Sequence, residues 1–286
     1  MASHPSDGRK DDSGGSSEGC PRAVPEKRVL IGTVPLDPIS LPEAVVWTLN
    51  CLEIRGNRPP ARISCPNASL VVLAQRDPAF REMVRTSELV VADGLPLLWA
   101  AALLGTPLAG QVRGVDLMEE VCAAGAARGM SIYIVGGLPG AAERAAERLA
   151  SLHPGLRVAG LDCPPIGFER DPQLSRQVVA KIAAAAPDFL IVALGSPKQE
   201  RWIAEVYREL PVGVIHGVGA AIDTVAGLRQ RPPEWMRNIG LEWFGRLLLE
   251  PRRLWRRYMF GNLRFLRIVW RQWRAERRNR RPASGV

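Results

Sequence analysis

The sequence predicts an α/β protein: a Rossmann-like, mostly parallel sheet flanked by helices, with a helical appendage at the C-terminus. Three observations predict it. Short apolar runs of strand length alternate with longer segments of helical period, the pattern of βα units. Several of those runs end in Gly or Asp just before a helix begins. Arginine, finally, collects at one end of the chain.

The strand-like runs are Arg28–Gly32, Arg62–Cys65, Leu89–Val91, Ser131–Val135, Leu156–Ala159, Phe189–Leu194 and Val212–His216. Between them lie the helix candidates Leu41–Arg55, Val115–Ala127, Gly140–Leu152, Asp171–Ala185 and Lys198–Arg208. Such alternation places parallel strands in a sheet covered on both faces. Three strand ends carry turn residues: Ala92-Asp93-Gly94, Gly136-Gly137-Leu138-Pro139-Gly140 and Gly195-Ser196-Pro197. Ligands of open α/β sheets collect at those carboxyl ends.

Three regions follow from composition. Residues 1–26 are rich in Ser, Gly, Pro and charge without the apolar core of a secretory signal, and read as a disordered tail. Residues 27–240 form the α/β core, and residues 241–286 the basic, Trp-rich appendage. An apolar share of 47% with 23% charged residues excludes a wholly disordered chain. No apolar run is long enough to span a bilayer. The cysteines (Cys20, Cys51, Cys65, Cys122, Cys163) are odd in number and lack C-x-x-C spacing. They suggest neither a disulfide framework nor a zinc knuckle, and point to a reducing cytoplasm.

Thirteen arginines stand between Arg246 and Arg281 against Glu250 and Glu276, a net of +11 in a chain whose total is +9. The body is therefore near neutral, which excludes a uniformly basic nucleic-acid coat. Pro251 permits a helix start. On a helical wheel from Leu254 to Arg274, six arginines (256, 257, 264, 267, 271, 274) fall in one arc of about 100°. Leu, Ile, Val, Phe and Trp fill the rest. A helix lying in a membrane interface explains both halves. Packing on the protein's own core is the second reading and nucleic-acid binding the third.

Four constellations carry chemistry. Asp93 at a strand end is placed to act as a base, although on the residues alone an N-cap role suits it better. Gly136 and Gly137 let backbone N–H groups approach a phosphate, or serve only a tight turn. Gln199, in Gly195-Ser196-Pro197-Lys198-Gln199-Glu200, is able to hydrogen-bond a sugar or a uracil edge, or simply begins a helix. Asp223, in Gly217-Val218-Gly219-Ala220-Ala221-Ile222-Asp223, favours a structural role over binding. Cys65 reads as a small strand residue rather than a nucleophile. The three histidines (His4, His153, His216) form no triad or H-E-x-x-H, and no D-x-D occurs, so no metal is expected.

Taken in order, these segments resemble the WecG/TagA/CpsF glycosyltransferase family. The matching stretches are Asn67, Val91-Ala92-Asp93-Gly94, Arg113-Gly114-Val115-Asp116-Leu117, Tyr133-Ile134-Val135-Gly136-Gly137 and Pro187-Asp188. The run from Gly195 to Glu200, the run from Gly217 to Asp223, Arg231-Pro232-Pro233-Glu234-Trp235, Gly240-Leu241-Glu242-Trp243 and Arg246 to Tyr258 complete it. The resemblance covers Arg28 to Tyr258; the Trp-rich extension beyond is longer than the family leads one to expect.

The resemblance implies an inverting transferase that moves a sugar from a UDP donor to a polyprenyl-diphosphate-linked acceptor. It would work at the inner face of the cell membrane, in teichoic acid or polysaccharide synthesis. Asp93 matches the position of the general base, and Asn67 and Gln199 those lining the pocket. Arg246, Arg253 and Arg256 match arginines of an appendage that folds over the site. Cys65, Arg113, Gly136, Gly137, Asp223 and Arg231 fall in or beside the matched stretches and complete the expected substrate contacts. Cys65 stands where the family often has Thr. No cofactor beyond the UDP-sugar co-substrate is implied; an anionic membrane surface is expected as a partner, nucleic acid is not, and homo-oligomerisation stays open. The rival readings are an NAD-type Rossmann oxidoreductase and a non-catalytic membrane or nucleic-acid adaptor. The first fits poorly, because Asp162 lies about 25 residues past the glycines, where an acidic ribose partner is expected at about 20.

Overall fold

The computed structural model describes residues 28–54, 58–230, 233, 236, 244–245 and 251–279. The expected tail (1–26) and the first part of the expected appendage (241–250) lie outside them, save for residues 244 and 245, which are helical. The first strand-like run does not join the sheet. β1 (Val29–Ile31) pairs antiparallel with β2 (Val34–Leu36) in a hairpin of its own. Gly32, with φ +61°, supplies the turn between them.

The remaining strands are β3 (Ala61–Ser64), β4 (Leu89–Val90), β5 (Ser131–Gly136), β6 (Arg157–Asp162), β7 (Phe189–Ala193) and β8 (Val214–Gly217). They form one six-stranded sheet in the order β4-β3-β8-β7-β5-β6, every pairing parallel. The central β5 and β7 are buried at every position, whereas the edge strand β6 is largely exposed.

Alternate strand residues feed two cores. Ile132, Ile134, Phe189, Ile191 and Val214 pack with α1 (Leu41–Glu53), α5 (Gly114–Ala126), α6 (Ala141–Leu152) and α9 (Ala221–Val225). Tyr133, Val135, Leu190, Val192 and Ile215 pack with α7 (Pro172–Ala185) and α8 (Lys198–Val206) on the opposite face. A third core joins the hairpin to α2 (Ala68–Ala74), α3 (Pro78–Arg85), α4 (Leu95–Leu103) and the C-terminal helix α10 (Pro251–Asn279).

The sequence reading passes over α2 and α3, and the reason is physical. At seven and eight residues they are too short to display a helical period, and each is fixed by its cap instead. Asn67 Oδ1 accepts from Ser69 N and Leu70 N, and Asp77 Oδ1 accepts from Phe80 N. The long helix starts at Pro251, as expected. Its wide apolar face, however, is divided. Phe265 and Val269 are buried in the third core, worth roughly 1.5–3 kcal/mol each. Leu263, Leu266 and Trp270 remain more than half exposed, beside the exposed Arg264, Arg267, Arg271 and Arg274.

Cysteine spacing misses one bond. Cys65, Cys122 and Cys163 are free thiols, but Cys51 on α1 is disulfide-bonded. A disulfide depends on side chains brought within a few ångströms by the fold, which an irregular spacing does not reveal.

Candidate active site

The carboxyl ends of the parallel strands form one polar rim. Part of it is the seam between β3 and β8, which pair in parallel. Ile63 pairs with His216 across that seam, and two residues further on Cys65 Sγ stands 3.3 Å from His216 Nε2. Complete burial pushes the His216 pKa down to about 3, so its ring is neutral near pH 7. Its Nδ1 is buried with no hydrogen-bond partner among the described residues. Burial raises the Cys65 pKa well above the usual thiol value, and the charges of Asp93 and Glu200 raise it further. Cys65 is therefore a protonated thiol and no nucleophile.

The β3/β4 bank carries three expected residues. Asn67 caps α2 through Oδ1, and the capping bonds do not use its NH2 end. Asp93 follows β4, half-buried, its backbone N–H donating to Pro66 O at 3.0 Å. The N-cap of α4 is Gly94 (φ +120°), not Asp93, so capping does not account for this carboxylate. Val112 N donates to Ala92 O at 3.0 Å, which draws Arg113, the N-cap of α5, to the same strand end. Arg113 Nε is paired with Asp116.

The opposite bank is built differently. Gly137 N donates to Ala193 O at 3.0 Å, and a Cβ on Gly136 would meet that same carbonyl at 2.8 Å. Close backbone packing thus requires this glycine with or without a phosphate. Asp223 Oδ1 accepts from Leu138 N at 2.8 Å while Oδ2 pairs with Arg229 at 3.0 Å, so this carboxylate braces the glycine turn. Asp162, the acid that the oxidoreductase reading needs for a ribose, is tied to Lys181.

Gln199 is only 4% exposed. Its Oε1 accepts from Gly195 N (3.2 Å) and Gly219 N (2.9 Å), and its Nε2 donates to Ser196 Oγ (3.4 Å) and Glu200 Oε1 (3.2 Å). An amide has two acceptor and two donor places, and all four are engaged. Gln199 thus joins the turns after β7 and β8, and it shapes the pocket wall rather than presenting a free amide. A Cβ on Gly217 would come within 2.8 Å of its Nε2, so that glycine is required by the contact. Glu200 was not singled out from the sequence; nothing in its spacing separates a buried carboxyl from an ordinary first-turn acid.

The C-terminal helix reaches the rim. Gly261 lies against Ser69 in the first turn of α2, and Ile268 lies near Gly32 beside Gln75, just past the end of α2. α10 therefore runs parallel to α2. Followed back from Gly261, it extends past the N-terminus of α2, the end that sits at the strands' carboxyl edge. Arg253 and Arg256 belong to that projecting segment, while Arg231 and Arg246 lie outside the described residues. Among the described residues no helix is long and apolar enough to cross a membrane, and no three His, Cys, Asp or Glu gather as metal ligands.

Known proteins share this arrangement of sequence. The sequence model described as Glycosyl transferase WecG/TagA/CpsF family matches residues 29–279, through α10 and well past Tyr258. The Trp-rich helix is thus part of the family pattern and not an added extension. An N-acetylglucosaminyldiphosphoundecaprenol N-acetyl-beta-D-mannosaminyltransferase of Bacillus subtilis (strain 168) is 30% identical over 200 residues, 70% of this chain and 75% of the relative. The protein of the same name in Staphylococcus aureus (strain NCTC 8325 / PS 47) is 28% identical over 190 residues, 66% of this chain and 72% of the relative. With its family pattern running from the first hairpin strand through the C-terminal helix, the chain belongs to the WecG/TagA/CpsF family of glycosyltransferases.

Proposed function

We propose that the protein is an inverting transferase that moves an N-acetylmannosamine-type sugar from a UDP donor to a polyprenyl-diphosphate-linked N-acetylglucosamine. The names of its relatives support the sugar and the acceptor. One juxtaposition supports the mechanism: the backbone of Asp93 and the helix α10 both lie beside the N-terminal end of α2, at Pro66 and Ser69.

Asp93 takes the proton of the acceptor hydroxyl as that oxygen attacks the anomeric carbon. The bond to the UDP oxygen breaks on the opposite side, and a single displacement inverts the centre. The departing diphosphate needs positive charge. Arg253 and Arg256 stand roughly 12 and 8 Å along the helix axis from Gly261 at 1.5 Å per residue, within the span of an arginine side chain and a nucleotide. Paired arginines bind a diphosphate bidentately and take the place of a metal ion. Arg113 joins that positive rim and Asn67 orients the acceptor sugar; Arg231 and Arg246, outside the described residues, are assigned to the donor by their family stretches alone.

The exposed strip of Leu263, Leu266 and Trp270 enters the headgroup boundary of an anionic membrane, with the neighbouring arginines on lipid phosphates. The substrate then arrives where the site is completed. A panel of UDP-sugars offered with a lipid-diphosphate N-acetylglucosamine, followed by UDP release and by NMR of the product, tests the reading. UDP release dependent on the acceptor, resistant to chelator and giving an inverted anomer is expected. Turnover with NAD but not with any UDP-sugar refutes it.

A further inference from the structure

A second carboxyl group, which the proposed mechanism does not use, lies behind the rim. Glu200 is the third residue of α8. Its Oε1 accepts from Ser196 Oγ at 2.5 Å and from Gln199 Nε2 at 3.2 Å. Its Oε2 is buried and has no hydrogen-bond partner among the described residues. A cavity of about 20 Å³ adjoins it, lined by Arg62, Ser64, Ser87 and Gly217 among others. That is room for one water molecule.

We propose that Glu200 is a positioning residue: by gathering the Ser196 hydroxyl and the Gln199 amide on one oxygen, it fixes the amide that joins the two glycine turns beside the catalytic crevice. The assignment of a consequence for turnover rests on the transferase reading given above; the packing role does not. The geometry leaves Gln199 no alternative orientation. Its Oε1 is committed to two backbone N–H groups, so its NH2 must find acceptors, and Glu200 Oε1 is the nearer of the two. Remove that oxygen and the Nε2 keeps only a 3.4 Å contact to Ser196.

The task needs an acceptor at Oε1 and no charge at all. Burial, opposed by the bonds from Ser196 and Gln199, raises the Glu200 pKa above the usual carboxyl value, so the group retains its proton more readily than an exposed acid. When it holds its proton, the carboxyl offers one acceptor oxygen to the Ser196–Gln199 pair and one O–H toward the cavity, whose lining includes Ser64. A glutamine side chain has the same shape and the same pair of functions: a carbonyl oxygen on one side and a donor on the other.

Two measurements test this, one of them independent of any transferase activity. Thermal unfolding of the full chain and of Glu200→Gln is followed from pH 4 to 9. A raised pKa in the folded state favours the protein below about 4.5, where folded and unfolded chains both hold the proton, and that benefit is lost as pH rises through the folded value. The glutamine variant has no such loss. Its advantage in melting temperature over the natural chain is expected to grow with pH. An advantage that shrinks or reverses as pH rises would mean a working carboxylate, and overturns the proposal.

In steady-state kinetics Glu200→Gln is expected to stay within about threefold of the natural enzyme, and Glu200→Ala to lose on the order of tenfold to a hundredfold in kcat/KM through displacement of Gln199. Ser196→Ala, at an exposed position that folding tolerates, moves the same parameter the same way by a smaller factor. A Glu200→Gln enzyme as impaired as Glu200→Ala, or a Glu200→Ala enzyme with natural kinetics, overturns the proposal. If the natural chain transfers no sugar, the functional reading fails while the pH series still decides the role of Glu200.

Discussion

The two banks of the crevice are built on opposite plans. On the β7/β8 side, Gln199 and Asp223 spend their polar atoms on backbone amides of the glycine turns, and close packing permits no side chain at Gly136 or Gly217. On the β3/β4 side, Asn67 caps α2 with its oxygen alone and Asp93 follows a strand without being the N-cap of the helix after it. The first bank is thus built for shape, and the proposed mechanism places its chemistry on the second.

That contrast is broken most easily at Asp93 and Gln199. Asp93→Asn is expected to lower kcat by about 10³-fold, the range for loss of a general base, with melting temperature unchanged. Gln199→Ala strips partners from two backbone N–H groups, at about 1–3 kcal/mol each, and is expected to lower the melting temperature by several degrees. Equal losses of stability in the two variants would erase the distinction. Next in size is the outer face of α10. Replacing Leu263, Leu266 and Trp270 together by Ser is expected to reduce flotation with anionic liposomes at least tenfold, at about 25 cal/mol for each Å² of apolar surface no longer buried in lipid. Unfolding midpoints should barely move, because these side chains are not in the core. Unchanged flotation would end the membrane role of this strip.

The seam between the banks gives a pH prediction. His216 has its pKa lowered to about 3 by burial, against about 6.5 in an unfolded chain. A depressed pKa on a base means that the unfolded chain binds more protons, so stability falls as pH drops from 6.5 toward 3, approaching about 1.4 kcal/mol for each pH unit. Unfolding in urea at steps between pH 7 and 4 measures that slope, and His216→Gln should flatten it. A folded-state imidazole signal that is absent from His216→Gln and titrates near pH 6.5 contradicts the assignment.

Much of this was legible in the sequence, and the exceptions share a cause. The parallel strands, their Gly- and Asp-bearing ends and the start of α10 at Pro251 follow from periodicity and turn chemistry, which are local. The β1–β2 hairpin looked like one more sheet strand because three apolar residues do not say which neighbour they pair with. The apolar face of α10 was read as one surface, yet Phe265 and Val269 enter the core while Leu266 and Trp270 do not. Only the partner surface draws that line. Glu200 and Gln199 are adjacent and equally polar; what separates them from a solvated helix start is contact with turns at Gly195 and Gly219, the second of which is 20 residues away.

The smallest expected effect concerns how α10 is held at its far end, away from the crevice. Gln272 Oε1 accepts from Gly32 N at 2.8 Å and its Nε2 donates to Leu30 O at 2.9 Å, so one side-chain amide pairs with the outer edge of β1 much as a neighbouring strand would. That edge would otherwise present unpaired backbone groups. Gln272→Met keeps the length of the side chain and removes both bonds, so it should cost about 1–2 kcal/mol and speed hydrogen exchange at Gly32. Because Phe265 and Val269 still hold the helix, its position at the rim and hence kcat should be preserved. A large fall in kcat from this substitution would mean that the two ends of α10 are coupled, and that the hairpin helps to set the position of the arginines over the site.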